Sequence, residues 1–375
     1  MTRLGDVATY INGFAFAPDD WSENGLPIIR IQDLTGNSYQ MNRYAGEYNP
    51  KYEVNRGDVL ISWSASLGVY VWQGEKALLN QHIFKVIFDK CDVDKSFYVH
   101  QVDAILEKAA SQAHGATMKH LTKPVFDALP FYLPDLPTQQ RIADTLDKVS
   151  EGIGLCGRMM DELDLMVKAK FVEMFGDPVS NPMGWEEKKL GHVCKKLTDG
   201  THFSPESFAT GAYKYVTAKN IRINGFDFSN ITYIPEEVHR PIYERCNPEY
   251  GDVLYIKDGV TTGIAMVNTL HEEFSLLSSV ALLKQDRNVI NGCFLCGVLN
   301  NAEMYSNIRM NMGGAAITRL TIAKLNEIRV IVPPIELQEQ FATFVSKIDK
   351  SRLTIQQVLS KIELEQKVLM QKYFG

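Results

Sequence analysis

The sequence predicts an α+β fold in which two pseudo-repeated mixed α/β domains are each followed by a long helix. Three observations support this prediction: an internal repeat, a seven-residue apolar pattern after two proline-rich corners, and short alternating apolar runs elsewhere. Together they divide the chain into a first domain at 1–137, a helix at 138–176, a second domain at 177–336 and a helix at 337–375.

The internal repeat is the strongest signal in the chain. Gly115–Thr122 reappears as Gly314–Thr321, and the offset of 199 residues then continues without a gap to the Phe-Gly pairs at 175–176 and 374–375. Further upstream, Gly57–Leu60 corresponds to Gly251–Leu254 at an offset of 194. One part of each half has therefore been kept rigidly alike, while loops of different length separate the landmarks in the other part.

The seven-residue pattern predicts the two helices. In the first, apolar positions alternate four and three residues apart, at Ile142, Leu146, Val149, Ile153, Cys156, Met160, Leu163 and Val167. The second helix has the same register from Phe341 onward, with polar breaks at Arg352 and Gln366. This spacing is the seam of a coiled coil, so the two helices are expected to pack on each other.

The segments before each helix predict a compact, curved sheet with short strands. Alternating or continuous apolar runs bounded by turn residues predict strands at 28–31, 59–62, 69–72, 83–88, 253–256 and 264–267. Helices are expected at 95–112 and 289–310.

Composition excludes several classes of protein. The 375 residues have an ordinary apolar fraction of 45% and a net charge of −6, so a bound polyanion would have to contact local basic clusters. No apolar run is long enough for a membrane span and no leader is evident, which predicts a cytoplasmic protein without membrane contact. The six cysteines lack disulfide spacing, and the Cys293/Cys296 pair reads as core rather than as a metal site.

Catalytic patterns are missing from the sequence. There is no Gly-Lys dipeptide for a phosphate-binding loop, no His-Glu-x-x-His zinc pattern and no Gly-x-Ser-x-Gly nucleophile elbow. We therefore predict neither catalytic nor metal-ligating residues. We predict a protein that recognises a binding partner rather than one that catalyses a reaction.

The order of these features resembles the specificity subunit of type I restriction-modification systems. The motifs that carry the resemblance cover the whole chain: Gly57–Leu60 and Gly251–Leu254, the Gly-Ala loops at 115–117 and 314–316, and the corners Leu133–Gln140 and Val332–Gln340. The first corner departs from the family pattern, with a single proline where the second has Pro333 and Pro334.

The resemblance implies that each domain is a target recognition domain for one half of a split double-stranded DNA sequence. It implies that the two helices pair as an antiparallel coiled coil that spaces the half-sites. Two methyltransferase (modification) subunits would methylate adenine N6 with S-adenosylmethionine, and restriction/translocase subunits would use ATP and Mg. This chain itself would bind no cofactor. Divergence between 62–66 and 257–261 at matching places predicts unlike half-sites, hence an asymmetric target.

DNA readers need phosphate clamps and side chains that reach base edges, so basic, amide and hydroxyl residues in loops after strands are the candidates. In the first domain they are Arg30, Gln32, Trp63, Ser64, Ser66, Asn80, Gln81, His82, Lys119 and His120. In the second they are Thr201, His202, Lys219, Asn220, Lys257, Asp258, Thr261, Thr262 and Arg319. Each has a plainer alternative: Arg30 or Lys219 as a solvated charge, Asn80 and His82 as strand caps, Trp63 as core.

A second function stays open from the sequence. Two related modules on a coiled-coil spacer would also suit a protein-binding scaffold, and the acidic net charge agrees with one. Basic side chains clustered on one face of both modules would favour DNA.

Overall fold

The structure, a computed structural model, describes residues 2–37, 40–112, 122–310 and 319–375. The chain forms two compact units. The first unit consists of Met1–Gly157 with Gln357–Gly375, and the second of Arg158–Gln356. Each unit therefore holds one mixed α/β module and a segment of both long helices.

The first module and its helix contain these elements. The strands are β1 (Thr2–Arg3), β2 (Thr9–Asn12), β3 (Leu26–Ile29), β4 (Arg43–Tyr44), β5 (Glu53–Val54), β6 (Val59–Ser62), β7 (Gly68–Val71), β8 (Ala77–Leu79), β9 (Ile83–Ile87) and β10 (Pro130–Phe131). The helices are α1 (Leu4–Val7), α2 (Ile31–Leu34), α3 (Lys95–Gln112), α4 (Lys123–Asp127) and α5 (Leu136–Phe175), with 3-10 turns at Pro18–Asp20 and Pro50–Tyr52.

Two four-stranded sheets form the centre of the first module. One has the order β2-β9-β6-β7 and is antiparallel throughout; the other has the order β4-β3-β8-β5, with β3 and β8 parallel. Strand β6 is buried on both faces: Val59 and Ile61 pack into one apolar cluster with α3, and Leu60 packs into another with Ile29. Such a strand reads as a continuous apolar run, which is why the sequence predicts it well.

The second module and its helix contain these elements. The strands are β11 (Glu187–Lys189), β12 (Cys194–Asp199), β13 (Tyr213–Val216), β14 (Ile221–Arg222), β15 (Gly225–Phe226), β16 (Thr232–Ile234), β17 (Val253–Ile256), β18 (Ala265–Val267), β19 (Phe274–Leu276), β20 (Val280–Gln285) and β21 (Arg329–Ile331). The helices are α6 (Leu190–Val193), α7 (Glu236–Arg245), α8 (Gly292–Leu299), α9 (Ala302–Met310), α10 (Ile322–Glu327) and α11 (Ile335–Phe374), with a 3-10 turn at Ala218–Asn220.

The second module repeats the plan of the first. Its antiparallel sheet has the order β12-β20-β17-β18, and a second sheet of order β16-β13-β19 contains the parallel pair β13 and β19. Helix α7 and the hairpin β14–β15 are additions to this plan, and both lie upstream of Gly251, outside the part of the repeat that continues without a gap.

A buried glutamine joins each long helix to its module. The Gln139 carboxamide accepts from the Asp94 backbone N–H at 2.8 Å and donates to the Pro134 carbonyl at 2.8 Å. In the second unit Gln338 accepts from the Asn291 N–H at 2.8 Å and donates to the Pro333 carbonyl at 2.7 Å. Both side chains are nearly inaccessible, so each amide satisfies backbone groups that water does not reach.

Within each unit the two long helices contact each other in opposite chain order. In the first unit Gln366 lies 3.5 Å from Ser150, and Ile362 lies against Gly152. In the second unit Arg352 pairs with Asp164, and Phe341 contacts Phe171. The two polar breaks of the apolar seam thus find polar partners on the other helix.

Most of the predicted elements match the structure closely. The strands at 59–62 and 253–256 and the helix at 95–112 have the predicted bounds, and both long helices begin two residues earlier than predicted. The single helix predicted at 289–310 is wrong, because it is split into α8 and α9. At the break the Asn300 side chain bonds both backbone groups of Ala265, and Asn301 caps α9 through the Glu303 N–H.

In the described part of the chain, every helix is too short or too polar to traverse a bilayer.

Candidate nucleic-acid interface

Loops from both sheets meet at one end of the first module. The strand register places Asn12, Ser62 and Ile83 at the same edge of the antiparallel sheet. The Asn80 N–H donates to the Ile29 carbonyl at 3.3 Å, which ties the neighbouring sheet to the same edge. We call the resulting surface the first tip; it consists of Asn12, Arg30–Gln32, Trp63–Ser66 and Asn80–His82.

All of the predicted first-domain residues that the structure describes lie on the first tip. Arg30 sits between its neighbours: its Nε lies 3.7 Å from an Asp33 oxygen, and its guanidinium lies 5.5 Å from the centre of the Trp21 ring. The Gln32 side chain is exposed on the turn that follows. Lys119 and His120 lie outside the described residues.

Trp63 is partly a core residue, as the plainer reading of the sequence proposed. Its ring stacks on Phe84 at 5.7 Å and meets His82 edge-on at 5.4 Å, while its Nε1 donates to the Asn12 side chain at 3.2 Å. Ser64 is buried, Ser66 is exposed, and Ala65 between them adopts the left-handed conformation with φ of 59°. The first tip is therefore largely neutral, built of amide, hydroxyl and ring groups.

The second module presents the equivalent loops at the equivalent sheet end. The register aligns Asp199, Ile256 and Val280 at one edge, and the Thr201 N–H donates to the Leu276 carbonyl at 2.8 Å. We call this surface the second tip; it consists of Asp199–His202, Thr217–Asn220, Lys257–Thr262, Arg245 and Arg319. It gathers every residue predicted in the second domain.

An ion-pair network holds the second tip together. The buried Lys257 ammonium lies 3.3 Å from an Asp199 oxygen and 3.1 Å from an Asp258 oxygen. The other oxygen of Asp199 lies 3.1 Å from the His202 ring and 3.4 Å from Arg245. Arg319 approaches Asp258 with its Nε at 3.5 Å. Removing two carboxylates and a lysine from water is costly, so the charges must remain paired for the tip to hold its shape.

Burial separates the predicted residues of the second tip into two groups. Thr201, Asn220, Lys257 and Thr262 are buried, and their polar groups bond to other groups of the module: Asn220, for example, accepts from both the N–H and hydroxyl of Thr217. His202, Lys219 and Arg319 are exposed, although the His202 ring and the Arg319 Nε each lie near a carboxylate of the network. The buried group shapes the loops, and the exposed group is available to a ligand.

One member of the network was missed from the sequence. Asp199 lies in the candidate segment Asp199–His202, but Arg245 ends helix α7, 46 residues further along the chain. Arg245 also donates to the Gly200 carbonyl, so it fixes the loop that carries Thr201 and His202. No local pattern identifies Arg245, because only the folded module brings it to the tip.

The described residues contain no group of three or more His, Cys, Asp or Glu side chains arranged to hold a metal ion. The cysteines are free thiols. Burial raises the pKa of Cys293 to about 12 and raises that of Cys296 as well, which fits their packing in the apolar cluster of the second module.

Comparisons with known proteins place the chain among restriction-system proteins. A family model described as "Type I restriction modification DNA specificity domain" matches twice, at residues 1–163 and 182–366. Each match covers one module and most of the helix that follows it.

Two curated relatives align over nearly the whole chain. The specificity subunit of the type I restriction enzyme EcoBI from Escherichia coli is 22% identical, over 99% of this chain and 85% of its own length. The specificity subunit of the type I restriction enzyme MjaVIII from Methanocaldococcus jannaschii is 20% identical, over 93% of this chain and 85% of its own length.

Solved structures share the fold. The S subunit of a type I restriction-modification system from M. genitalium matches with a TM-score of 0.56 at 15% identity, covering 100% of this chain and 95% of that one. A chain from a study of complex assembly and conformational transition in a type I system matches with a TM-score of 0.53 at 17% identity, covering 100% and 96%. With two copies of the domain filling most of its length, this chain belongs to the type I restriction-modification DNA specificity family.

Proposed function

We propose that this chain is the non-catalytic subunit that reads a bipartite, asymmetric DNA target and positions adenine-N6 methyltransferase and restriction subunits on it. One observation carries the proposal: two modules of one repeated fold present the same loops at the same sheet end, with different side chains on them. A repeated frame with altered loops is what two recognition surfaces for two sequences require. Family membership supports DNA as the ligand.

The contrast between the tips supports an asymmetric target. Amide, hydroxyl and aromatic groups dominate the first tip, whereas paired charges dominate the second. Amide side chains match the donor and acceptor of adenine in the major groove, and arginine matches the two acceptors of guanine. We therefore expect the two half-sites to differ in base composition.

The long helices are the proposed spacer between the half-sites. In each unit the contacts between α5 and α11 run in opposite chain order, as in an antiparallel coiled coil. Both helices have 40 residues, about 60 Å at 1.5 Å per residue, which exceeds one turn of B-DNA. A spacer of fixed length would give the target a fixed gap.

The proposed partners are double-stranded DNA, two methyltransferase subunits and the restriction/translocase subunits. S-adenosylmethionine, ATP and Mg would be bound by those partner chains, and this chain would bind none of them. The names of the curated relatives, which are subunits of restriction enzymes, support an assembly of this kind. We propose a cytoplasmic location, in line with the DNA ligand proposed for the chain.

Mapping N6-methyladenine tests the proposal directly. A bacterial host without adenine methylation would express this chain with a candidate modification subunit, and its genome would be sequenced by a single-molecule method. We expect methylation at one split motif with a fixed gap, lost when this chain is omitted. A modification subunit that co-purifies with this chain but leaves no methylation would overturn the proposal and favour the protein-binding scaffold.

Exchange of residues 1–137 for those of another family member assigns the half-sites. We expect one half of the motif to change while the other half and the gap persist. A change in both halves would contradict the modular reading.

A further inference from the structure

We infer that Arg319 reads a guanine in the half-site of the second module, and that Asp258 is the positioning residue that presents it. This inference rests on the proposed DNA-reading function and names the base that the second tip selects. It is carried by the juxtaposition of an exposed guanidinium with a buried carboxylate oxygen that lacks a hydrogen-bond partner.

The backbone fixes where Arg319 begins. Residues 258 and 319 form an antiparallel bridge, and the Leu320 N–H donates to the Lys257 carbonyl at 2.9 Å. Leu320 itself is buried in the apolar cluster of the second module. The Cα of Arg319 is therefore anchored to the loop after β17, although its side chain remains 56% exposed.

Asp258 is held from the other side by the module core. Its Oδ2 lies 3.1 Å from the Lys257 ammonium, which is 2% exposed and is also paired with Asp199 at 3.3 Å. Its Oδ1 is buried without a hydrogen-bond partner among the described residues and lies 3.5 Å from the Arg319 Nε. A shift of a few tenths of an ångström would give that oxygen the Nε–H donor that it lacks.

Engagement of Nε leaves the two terminal amino groups of the guanidinium for a ligand. No other partner of the Arg319 side chain occurs in the described ranges 2–37, 40–112, 122–310 and 319–375. A guanidinium that presents two parallel N–H donors fits the O6 and N7 acceptors of guanine, the commonest specific contact of arginine in the major groove. A buttressed arginine loses less side-chain freedom on binding, because the carboxylate has already restricted it.

The rest of the second tip does not compete for this role. The Lys257 ammonium is enclosed by two carboxylates, and Arg245 is occupied by Asp199 and the Gly200 carbonyl. Lys219 is an exposed point charge on a 3-10 turn, the geometry of a phosphate contact rather than of a fork that reads a base. Arg319 is thus the guanidinium of this tip best placed to read a base.

The test uses the full chain assembled with its modification subunits. Binding is measured for a duplex with the mapped split target and for duplexes in which each base pair of the second half-site is replaced in turn. Arg319→Lys keeps the charge but removes the fork. We expect it to reduce discrimination at one G·C pair by about 10- to 100-fold, while preferences at all other positions persist.

Two further variants separate base reading from general effects. Asp258→Asn should weaken discrimination at that same G·C pair by a smaller factor, which a merely structural role would not confine to one position. Lys219→Ala should weaken binding to all duplexes equally and lower the slope of log K against log salt by about one. Thermal unfolding of each variant checks that the module remains folded.

The outcomes separate the inference from the function on which it rests. A second half-site without any G·C pair would overturn the inference, and so would an Arg319→Lys variant that binds all duplexes equally weakly. If the wild-type complex reads a split target and Arg319→Lys leaves its preferences unchanged, the inference fails and the proposed function stands. If the wild-type complex shows no sequence preference, both fail.

Discussion

The two tips are built on the same frame with opposite chemistry. At equivalent positions the first has Trp63 stacked on a phenylalanine, and the second has Lys257 enclosed by two carboxylates. Around them the frame is kept: Gly57 and Gly251 share a positive φ near 90°, and the carboxylates of Asp58 and Asp252 each accept a backbone N–H at 2.8 Å. What is kept is backbone geometry, and what has diverged is the side chain that packs inside each tip.

This contrast separates two kinds of residue. Side chains that bond to backbone groups set the position of the loops, so both modules need them whatever they recognise. Side chains at the tip bond to one another, so they change as a set: Lys257, at the position equivalent to Trp63, depends on the two carboxylates beside it. We therefore expect the side chains of one tip to be replaced together rather than one at a time.

The largest expected effect tests the ionic character of the second tip. Lys257→Met leaves Asp199 and Asp258 without their shared cation, and we expect it to destabilise the second module by about 3 kcal/mol. The equivalent change Trp63→Leu removes a stacked, half-buried ring and should cost about 1–2 kcal/mol. Hydrogen exchange of β17 and β6, respectively, measures each loss locally.

The double variant Lys257→Met with Asp199→Asn provides the control. It removes one of the two carboxylate charges that have lost the lysine and should recover part of the lost stability. If Lys257→Met costs no more than Trp63→Leu, the contrast between an ionic and a neutral tip is wrong.

The buried glutamine that joins each long helix to its module should contribute about equally to the stability of both modules. Gln139→Leu and Gln338→Leu each strip a buried backbone N–H and a proline carbonyl of their partner, and Gln338→Leu also strips the Val289 carbonyl at 3.2 Å, so we expect a loss of about 2 kcal/mol in each case. The neighbouring exposed residue gives the control, since Gln140→Leu should stay within about 0.5 kcal/mol. Urea unfolding followed by hydrogen exchange at α3 and α8 measures both losses of stability. Clearly unequal losses would contradict the equivalence of the two glutamine contacts.

Substitution of the glycine with positive φ that the two modules share, Gly57 and Gly251, should have a smaller effect on stability. Gly57→Ala and Gly251→Ala place a Cβ at φ values of 93° and 86°, which costs about 1–2 kcal/mol for an L-residue. Gly157→Ala supplies a control of opposite sign, because that glycine lies inside α5 with open space around it and should gain about 1 kcal/mol. Thermal unfolding of the three variants tests the order.

The smallest effect concerns His239, a buried residue of helix α7 in the second module. Burial lowers the pKa of the His239 imidazole, and the adjoining Glu273 offsets this only in part; Glu236 and Arg240 act more weakly. Because the folded state then binds a proton less readily than the unfolded chain, His239 favours folding above pH about 6.5 and disfavours it as the pH falls below that value.

We therefore expect the second module to lose stability between pH 7 and pH 5.5. His239→Phe, which keeps a ring against Tyr213, should make that loss smaller. Unfolding midpoints at the two pH values measure the difference, and an unchanged slope in His239→Phe would contradict the assignment.

The sequence was most informative where local pattern decides structure. The apolar seam predicted both long helices to within two residues, and the continuous apolar runs gave β6 and β17 with the correct bounds. It also named Arg319 and Lys257 as candidates, since both lie in loops next to predicted strands or repeat landmarks.

The remainder depended on contacts between distant residues. Arg245 reaches the tip because α7 packs beside the sheet, and the break between α8 and α9 depends on Asn300 bonding to a strand 35 residues earlier. The sequence also did not distinguish the buried from the exposed basic residues of the second tip. Lys257 and Arg319 are both basic residues in loops, but Lys257 is enclosed by carboxylates and Arg319 is exposed. Whether a residue contacts DNA stays a prediction for all of the candidates.

The buried glutamines have a consequence for how new specificities arise. Gln139 and Gln338 hold their modules through main-chain atoms alone: the N–H of residue 94 or 291, the carbonyl of a proline and, for Gln338, the carbonyl of Val289 as well. A contact made only with main-chain atoms does not depend on which side chains the module carries. A gene segment that encodes a foreign module would therefore bring with it the backbone groups to which the glutamine bonds. Recombination can exchange modules, and with them DNA targets, without changes in the long helices.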